Sequence, residues 1–167
     1  MGSDATIRPG VKTDLPQITE LWHQLVHFNV NRDGRLPKVA GGGDQQWQDR
    51  IDKLLADSTF RLYVAESGGR LVGFATGFLR YPPEAFEGQK VGNVADILVI
   101  RGWRRRGVAR RLLSAITRWF HQERVSHIEM GVVLANPAAV GFWRAVGAQD
   151  YRATMWLPAD WESRLRG

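Results

Sequence analysis

Apolar residues recur at helical spacing in four stretches of the chain and in strand-like runs in six others. Leu15, Ile18, Leu21, Trp22, Leu25 and Val26 form the first helical stripe, with Asp14 and Gln17 placed like a capping box at its start. Trp47, Ile51, Leu54 and Leu55 mark a second helix over 45–56. Val108, Ala109, Leu112, Leu113, Ile116, Trp119 and Phe120 mark a third that reaches about Arg124. A short fourth helix begins at Asn136-Pro137, with Ala139, Val140, Phe142, Trp143 and Val146 as its apolar positions and Gly147 as its cap.

Strands are expected over 6–8, 60–65, 71–79, 91–100, 127–134 and 150–157. Ser67-Gly68-Gly69-Arg70 is a hairpin turn between the second and third. Residues 29–43 and 81–90 are polar, glycine- or proline-bearing loops. The order is strand, two helices, three strands, helix, strand, helix, strand. That is one α+β domain with a mixed sheet over residues 5–158, a disordered leader at 1–4 and a C-terminal extension at 159–167.

The densest chemistry lies where the strand over 91–100 meets the third helix. Between them stands Arg101-Gly102-Trp103-Arg104-Arg105-Arg106-Gly107. The first N–H groups of a helix lack internal partners, and the helix dipole adds positive potential there. Gly107 removes a Cβ from the approach of an anion. A strand, a basic glycine turn and a helix start together read as a phosphate cradle.

Composition sharpens this picture at three points. The 167 residues are 44% hydrophobic, which excludes wholesale disorder. The net charge of +6 favours anionic partners, and six arginines between Arg101 and Arg111 concentrate it at the cradle. With Cys 0, disulfides and thiolate metal sites are excluded. No basic-then-apolar leader or long apolar run is present in the sequence, so a cytoplasmic protein without a membrane segment is expected.

The element order and two motifs resemble the GNAT family of acetyl-CoA-dependent N-acetyltransferases. Arg104-Arg105-Arg106-Gly107-Val108-Ala109 matches the family's pyrophosphate signature, directly after a strand and opening a helix. Asn136-Pro137-Ala138-Ala139-Val140-Gly141-Phe142-Trp143 matches its second motif, with Gly147 following. The resemblance implies an α/β/α sandwich whose central sheet is mixed, largely antiparallel and splayed at the cofactor strand. It implies acetyl-CoA as cofactor, a primary amine as acceptor, and direct attack in a ternary complex. Arg104 to Arg110 would receive the diphosphate, including Arg105, Arg106, Gly107, Val108 and Ala109. Backbone groups of Ile97, Leu98 and Val99 would meet the pantetheine amides, with Asn136, Ala139, Phe142 and Trp143 along the other side of the arm. Dimers are common in the family, and Trp161 offers an apolar contact for a homodimer.

For the chemistry, Asp96 is the first candidate base, with Glu84 and Glu87 behind it. A strand-end N–H, Leu98 or its neighbour Val99, is the expected oxyanion donor. Trp143 stands where many family members carry the Tyr that serves as general acid. An indole N–H does not release a proton near neutral pH, so Tyr151 is the substitute candidate, with Tyr81 behind it. His27, Asn31, Asp33, Tyr81 and Glu84 are the candidate acceptor contacts. His23 and His27, four apart, have no evident third ligand, and no metal is expected. Two other readings compete: an arginine-rich nucleic-acid-binding module, against which Gly102 and Gly107 interrupt any continuous basic helix, and a non-catalytic acyl-CoA sensor.

Overall fold

The computed structural model describes residues 4–84 and 87–161. Residues 1–3 of the expected leader and 162–167 of the expected extension lie outside the described residues. Along the chain come β1 (Thr6–Pro9), α1 (Leu15–Val30), α2 (Gly43–Leu54), β2 (Phe60–Ser67), β3 (Arg70–Arg80), β4 (Val91–Val99), α3 (Val108–Gln122), β5 (Ile128–Met130) and α4 (Pro137–Ala145). The strands form one sheet in the order β1-β2-β3-β4-β5. All neighbours are antiparallel except β4 and β5.

Alternation along the strands sends side chains to two faces. Leu62, Val64 and Phe74 pack with Leu15, Ile18 and Leu21 of α1 and Ile51 of α2. Ala65, Val72, Ala75 and Val94 pack with Leu112, Ile116, Trp119 and Phe120 of α3. Small residues let α3 approach: a Cβ at Gly92 would stand 2.7 Å from the Phe120 ring. The β2–β3 turn takes positive φ at Gly68 (57°) and Gly69 (76°), the two-glycine hairpin that the sequence predicts.

The expected capping box at α1 is not formed. Asp14 accepts two hydrogen bonds from Arg8 (2.7 and 2.8 Å) and one from the Val11 N–H (2.9 Å). Gln17 instead accepts from the Leu71 N–H at 3.0 Å, tying α1 to β3. The Arg8 hydrogen bonds hold the Asp14 carboxyl below its ordinary range. A depressed carboxylate contributes stability above its unfolded pKa and loses it as pH falls through the folded value. Asp14→Ala is therefore expected to cost about 2 kcal/mol at neutral pH, less than a fully buried pair because Arg8 is partly solvated. The deficit should shrink below about pH 4, where the unfolded carboxyl is protonated, as urea titrations at pH 7 and pH 3 would show.

Two strand expectations are corrected. β5 covers Ile128–Met130 rather than 127–134. Its ladder with β4 ends at the Val94–Met130 pair. Residues 150–157 form no strand. That segment is held by side chains: Arg144 on Asp150 (2.6 Å), Arg152 on Glu129 (2.6 Å), and Tyr151 edge-on to His127 (5.8 Å). A three-residue β5 offers too short an edge to organise another long strand.

Candidate active site

The site begins with an irregularity in β4. Thr76 pairs with Asp96 and Gly77 with Val94, so Ala95 is an extra residue, a β-bulge. A bulge bends its strand and ends local pairing. The β4–β5 ladder stops at Val94, immediately before it. From there to Val99, one edge of β4 has no partner strand, and the sheet splays into a cleft of about 870 Å3.

The Ile100 N–H bonds the Val72 carbonyl at 3.0 Å, which fixes the alternation along this strand. Leu98 is then directed at β3, while the N–H groups of Ile97 and Val99 face the cleft. Of the two strand-end amides expected from sequence, Leu98 is thus turned away from the cleft, and Val99, together with Ile97, is open to it.

At the far end of the open edge, Gly107 adopts φ 76° as N-cap of α3, and Arg105 takes φ 60° just before it. The first helical bond runs from the Arg111 N–H to the Gly107 carbonyl, 3.0 Å. The amides of Val108, Ala109 and Arg110 consequently have no helical acceptor. A Cβ added at Gly107 would meet nothing within 4 Å, so the space in front of the turn is open. Unbonded amides, an open approach and flanking arginines fit a diphosphate.

The arginines of this turn diverge. Arg104 Nε donates to the Val99 carbonyl at 2.9 Å, and its guanidinium lies 5.5 Å from the Phe28 ring centroid. Arg110 reaches the Ala145 carbonyl at 3.4 Å across the mouth of the cleft. Arg106 lies over Trp103 at 5.1 Å and does not line the cleft, and Arg111 pairs with Asp4 at 3.0 Å.

The opposite wall is α4. Asn136 is buried and caps the helix through the Ala139 N–H (3.2 Å). Its amide nitrogen donates to Asn29 Oδ1 at 3.0 Å, joining α4 to the end of α1. Asn136→Ala is expected to cost about 1 kcal/mol through the lost cap, readable in a denaturant titration. Trp143 is buried and packs edge-to-face on Phe142 at 5.1 Å. The helix closes as the sequence predicts: the Gly147 N–H bonds Arg144 and the Ala148 N–H bonds Trp143, each at 3.0 Å.

Asp96 sits at the bulge, partly buried, on the sheet face toward α1 and α2. Its Oδ2 accepts from the Thr76 hydroxyl at 3.0 Å, and its N–H donates back to Thr76 Oγ1 at 3.1 Å. Burial pushes this carboxyl above its ordinary range, opposed by the Thr76 hydrogen bond and the positive charge of Arg50.

Of the candidates named from sequence, Asp96, Ile97, Leu98, Val99, Arg104, Arg105, Gly107, Val108, Ala109, Arg110, Asn136, Ala139, Phe142 and Trp143 all line this cleft. The others do not. His27 lines a separate hollow with His23, Glu20 and Asp44. Asn31 is exposed beyond α1, and Asp33 is engaged by Arg35 at 2.6 Å. Tyr81 is 59% exposed and Tyr151 73% exposed, and neither they nor Glu84 and Glu87 line the cleft. Tyr151 thus lies outside the cleft. Phe28, which the family resemblance places at the acceptor pocket, lines this cleft, while reading the sequence missed Asn29, because α1 continues to Val30 where a loop was expected. The stripe Leu21, Leu25, Phe28 already carried that signal. Among the described residues, no group of three or more His, Asp and Glu is arranged to hold a metal ion, and no helix is long and apolar enough to cross a membrane.

A mixed sheet splayed beside a glycine-capped helix start defines the acetyltransferase fold. Residues 19–148 match the family model "Acetyltransferase (GNAT) family", and the chain belongs to that family, whose cofactor is acetyl-CoA. Among curated proteins, none matches the chain. Solved structures share the fold at low identity. A point mutant of the BH1408 protein from Bacillus halodurans superposes with a TM-score of 0.83 at 20% identity, covering 92% of this chain and 98% of that one. The aminoglycoside N-acetyltransferase AAC(6')-Iy in complex with CoA gives 0.74 at 21% identity, covering 95% and 96%. The aminoglycoside 6'-N-acetyltransferase AAC(6')-IG from Acinetobacter haemolyticus gives 0.71 at 19%, covering 92% and 97%.

Proposed function

We propose that the protein transfers an acetyl group from acetyl-CoA to a primary amine of a small molecule or peptide, by direct attack in a ternary complex. The observation that carries this reading is the unpaired edge of β4 running into the unbonded amides at the start of α3. When bound, acetyl-CoA supplies an activated acyl group. Val108, Ala109 and Arg110 hold its diphosphate through their amides, with Arg105 and Arg110 near enough along the turn to add charge. The N–H groups of Ile97 and Val99 orient the arm and stabilise negative charge developing on the carbonyl oxygen.

Asp96 takes the proton of the attacking amine, directly or through water. Among the described residues, no Tyr, Cys, His or Lys lines the cleft. The described residues therefore supply no side-chain acid at the sulfur, and solvent protonates the leaving thiolate. The same observation favours a second reading, a sensor that binds acyl-CoA without turnover.

Acetyl-CoA is expected to raise the melting temperature well above the shift given by inorganic phosphate, and to release thiol when a suitable amine is added. Stabilisation without thiol release from any amine selects the sensor. Salt-sensitive nucleic-acid binding that survives saturating coenzyme A would favour the arginine-rich module, against which the divergent contacts of Arg104, Arg106 and Arg111 argue.

Thr76 positions the base. It is fully buried, and its hydroxyl both donates to and accepts from Asp96. Asp96 must be ionised to act, so the rate rises with pH through its pKa. Thr76→Val removes a bond that favours the charged form, so the acid limb of kcat/KM is expected to move to higher pH. Thr76→Ser should restore it.

A further inference from the structure

We infer that the acceptor is a monoamine carried on an apolar body, of alkylamine or aralkylamine type, and not a polycation. The inference rests on the transferase reading and concerns the part of the cleft beside Asp96. Asp96 lies three residues before Val99, so about 10 Å of extended strand separates it from the cradle end. Leu25 and Val26 line the cleft on the side of α1, with Ala95 beside Asp96 in β4.

Among the described residues lining the cleft, Asp96 is the single carboxylate. Its charged company is cationic: Arg104, Arg105 and Arg110 toward the cradle, and Arg50 on α2, whose charge acts on the carboxylate. Other acids of the region are elsewhere or engaged. Asp33 holds Arg35 through both oxygens (2.7 and 2.6 Å), and Glu20 and Asp44 belong to the separate hollow, where Asp44 bonds His23 at 2.9 Å.

One ammonium entering this space meets one carboxylate and hands it a proton. Every further ammonium would leave water without a second carboxylate to meet it, and the coenzyme's diphosphate is already matched by the cradle arginines. An apolar body, in contrast, loses nothing on meeting Leu25 and Val26.

The test separates acceptor binding from turnover. Phenethylamine and hexylamine are compared with spermine and neamine, by calorimetric titration into protein saturated with coenzyme A and by thiol release with acetyl-CoA. The monoamines should bind more tightly and turn over with kcat/KM higher by about tenfold or more. In Val26→Glu, which adds a second carboxylate to the wall, the spermine-to-phenethylamine ratio should rise about tenfold, with the coenzyme A thermal shift reporting an intact fold. Equal or tighter binding of spermine or neamine by the parent protein overturns the inference while leaving the transferase reading standing. Preferential monoamine binding with no thiol release supports the acceptor site and overturns the transferase reading instead.

Discussion

Gly107→Glu is expected to abolish coenzyme A binding, with an affinity loss of about a hundredfold or more. Two effects act together. Gly107 holds φ 76°, where a side chain costs about 1 kcal/mol or more. The larger effect is the carboxylate itself, placed before the unbonded amides of α3, where it would occupy them and repel a diphosphate. Because a Cβ there meets nothing within 4 Å, the fold should survive. Gly107→Asn separates the two effects: Asn tolerates positive φ and brings no charge, so it should retain most of the affinity. Calorimetric titration with coenzyme A, beside circular dichroism of each variant, makes the comparison. A folded Gly107→Glu protein with unchanged affinity would remove the cradle.

The turn from β4 into α3 was legible in sequence because it is local. A strand, glycines at fixed offsets and a helix start follow one another within Ile97–Ala109, and chain connectivity alone brings them together. The two faces of the sheet were legible for the same reason, since period 2 and period 3.6 are properties of short windows. The Ala95 bulge was not. Nothing in Val91–Val99 distinguishes a regular strand from one that carries an extra residue, because the bulge exists only in the register against β3. From it follow two differences at the site: the length of β5 and the direction of the Leu98 amide. The Asn136–Asn29 bridge was equally hidden, joining residues 107 positions apart. Tyr151 looked available as an acid only while the last segment was read as a strand; held instead by His127, with its neighbour Arg152 on Glu129, it stays outside the cleft.

Asp96→Asn is expected to lower kcat by about a hundredfold or more while leaving coenzyme A affinity nearly intact. The substitution keeps size and can still accept from the Thr76 hydroxyl at Oδ1, so the bulge and the open edge of β4 should persist. What disappears, in the proposed mechanism, is the acceptor for the amine proton. Burial raises the Asp96 pKa and so makes it a stronger base than an exposed carboxylate, while the Thr76 bond and Arg50 oppose that rise. The parent enzyme should therefore lose activity as pH falls through that raised pKa. In Asp96→Asn this limb should vanish, leaving only the rise set by the free-base fraction of the amine. A structural role would predict a different outcome: reduced stability, weakened cofactor binding and an unaltered profile. Stopped-time thiol release from pH 5 to pH 9, with thermal melts in coenzyme A, distinguishes the two. An unchanged rate across that range would reject Asp96 as the base and return the proton to water in the cleft.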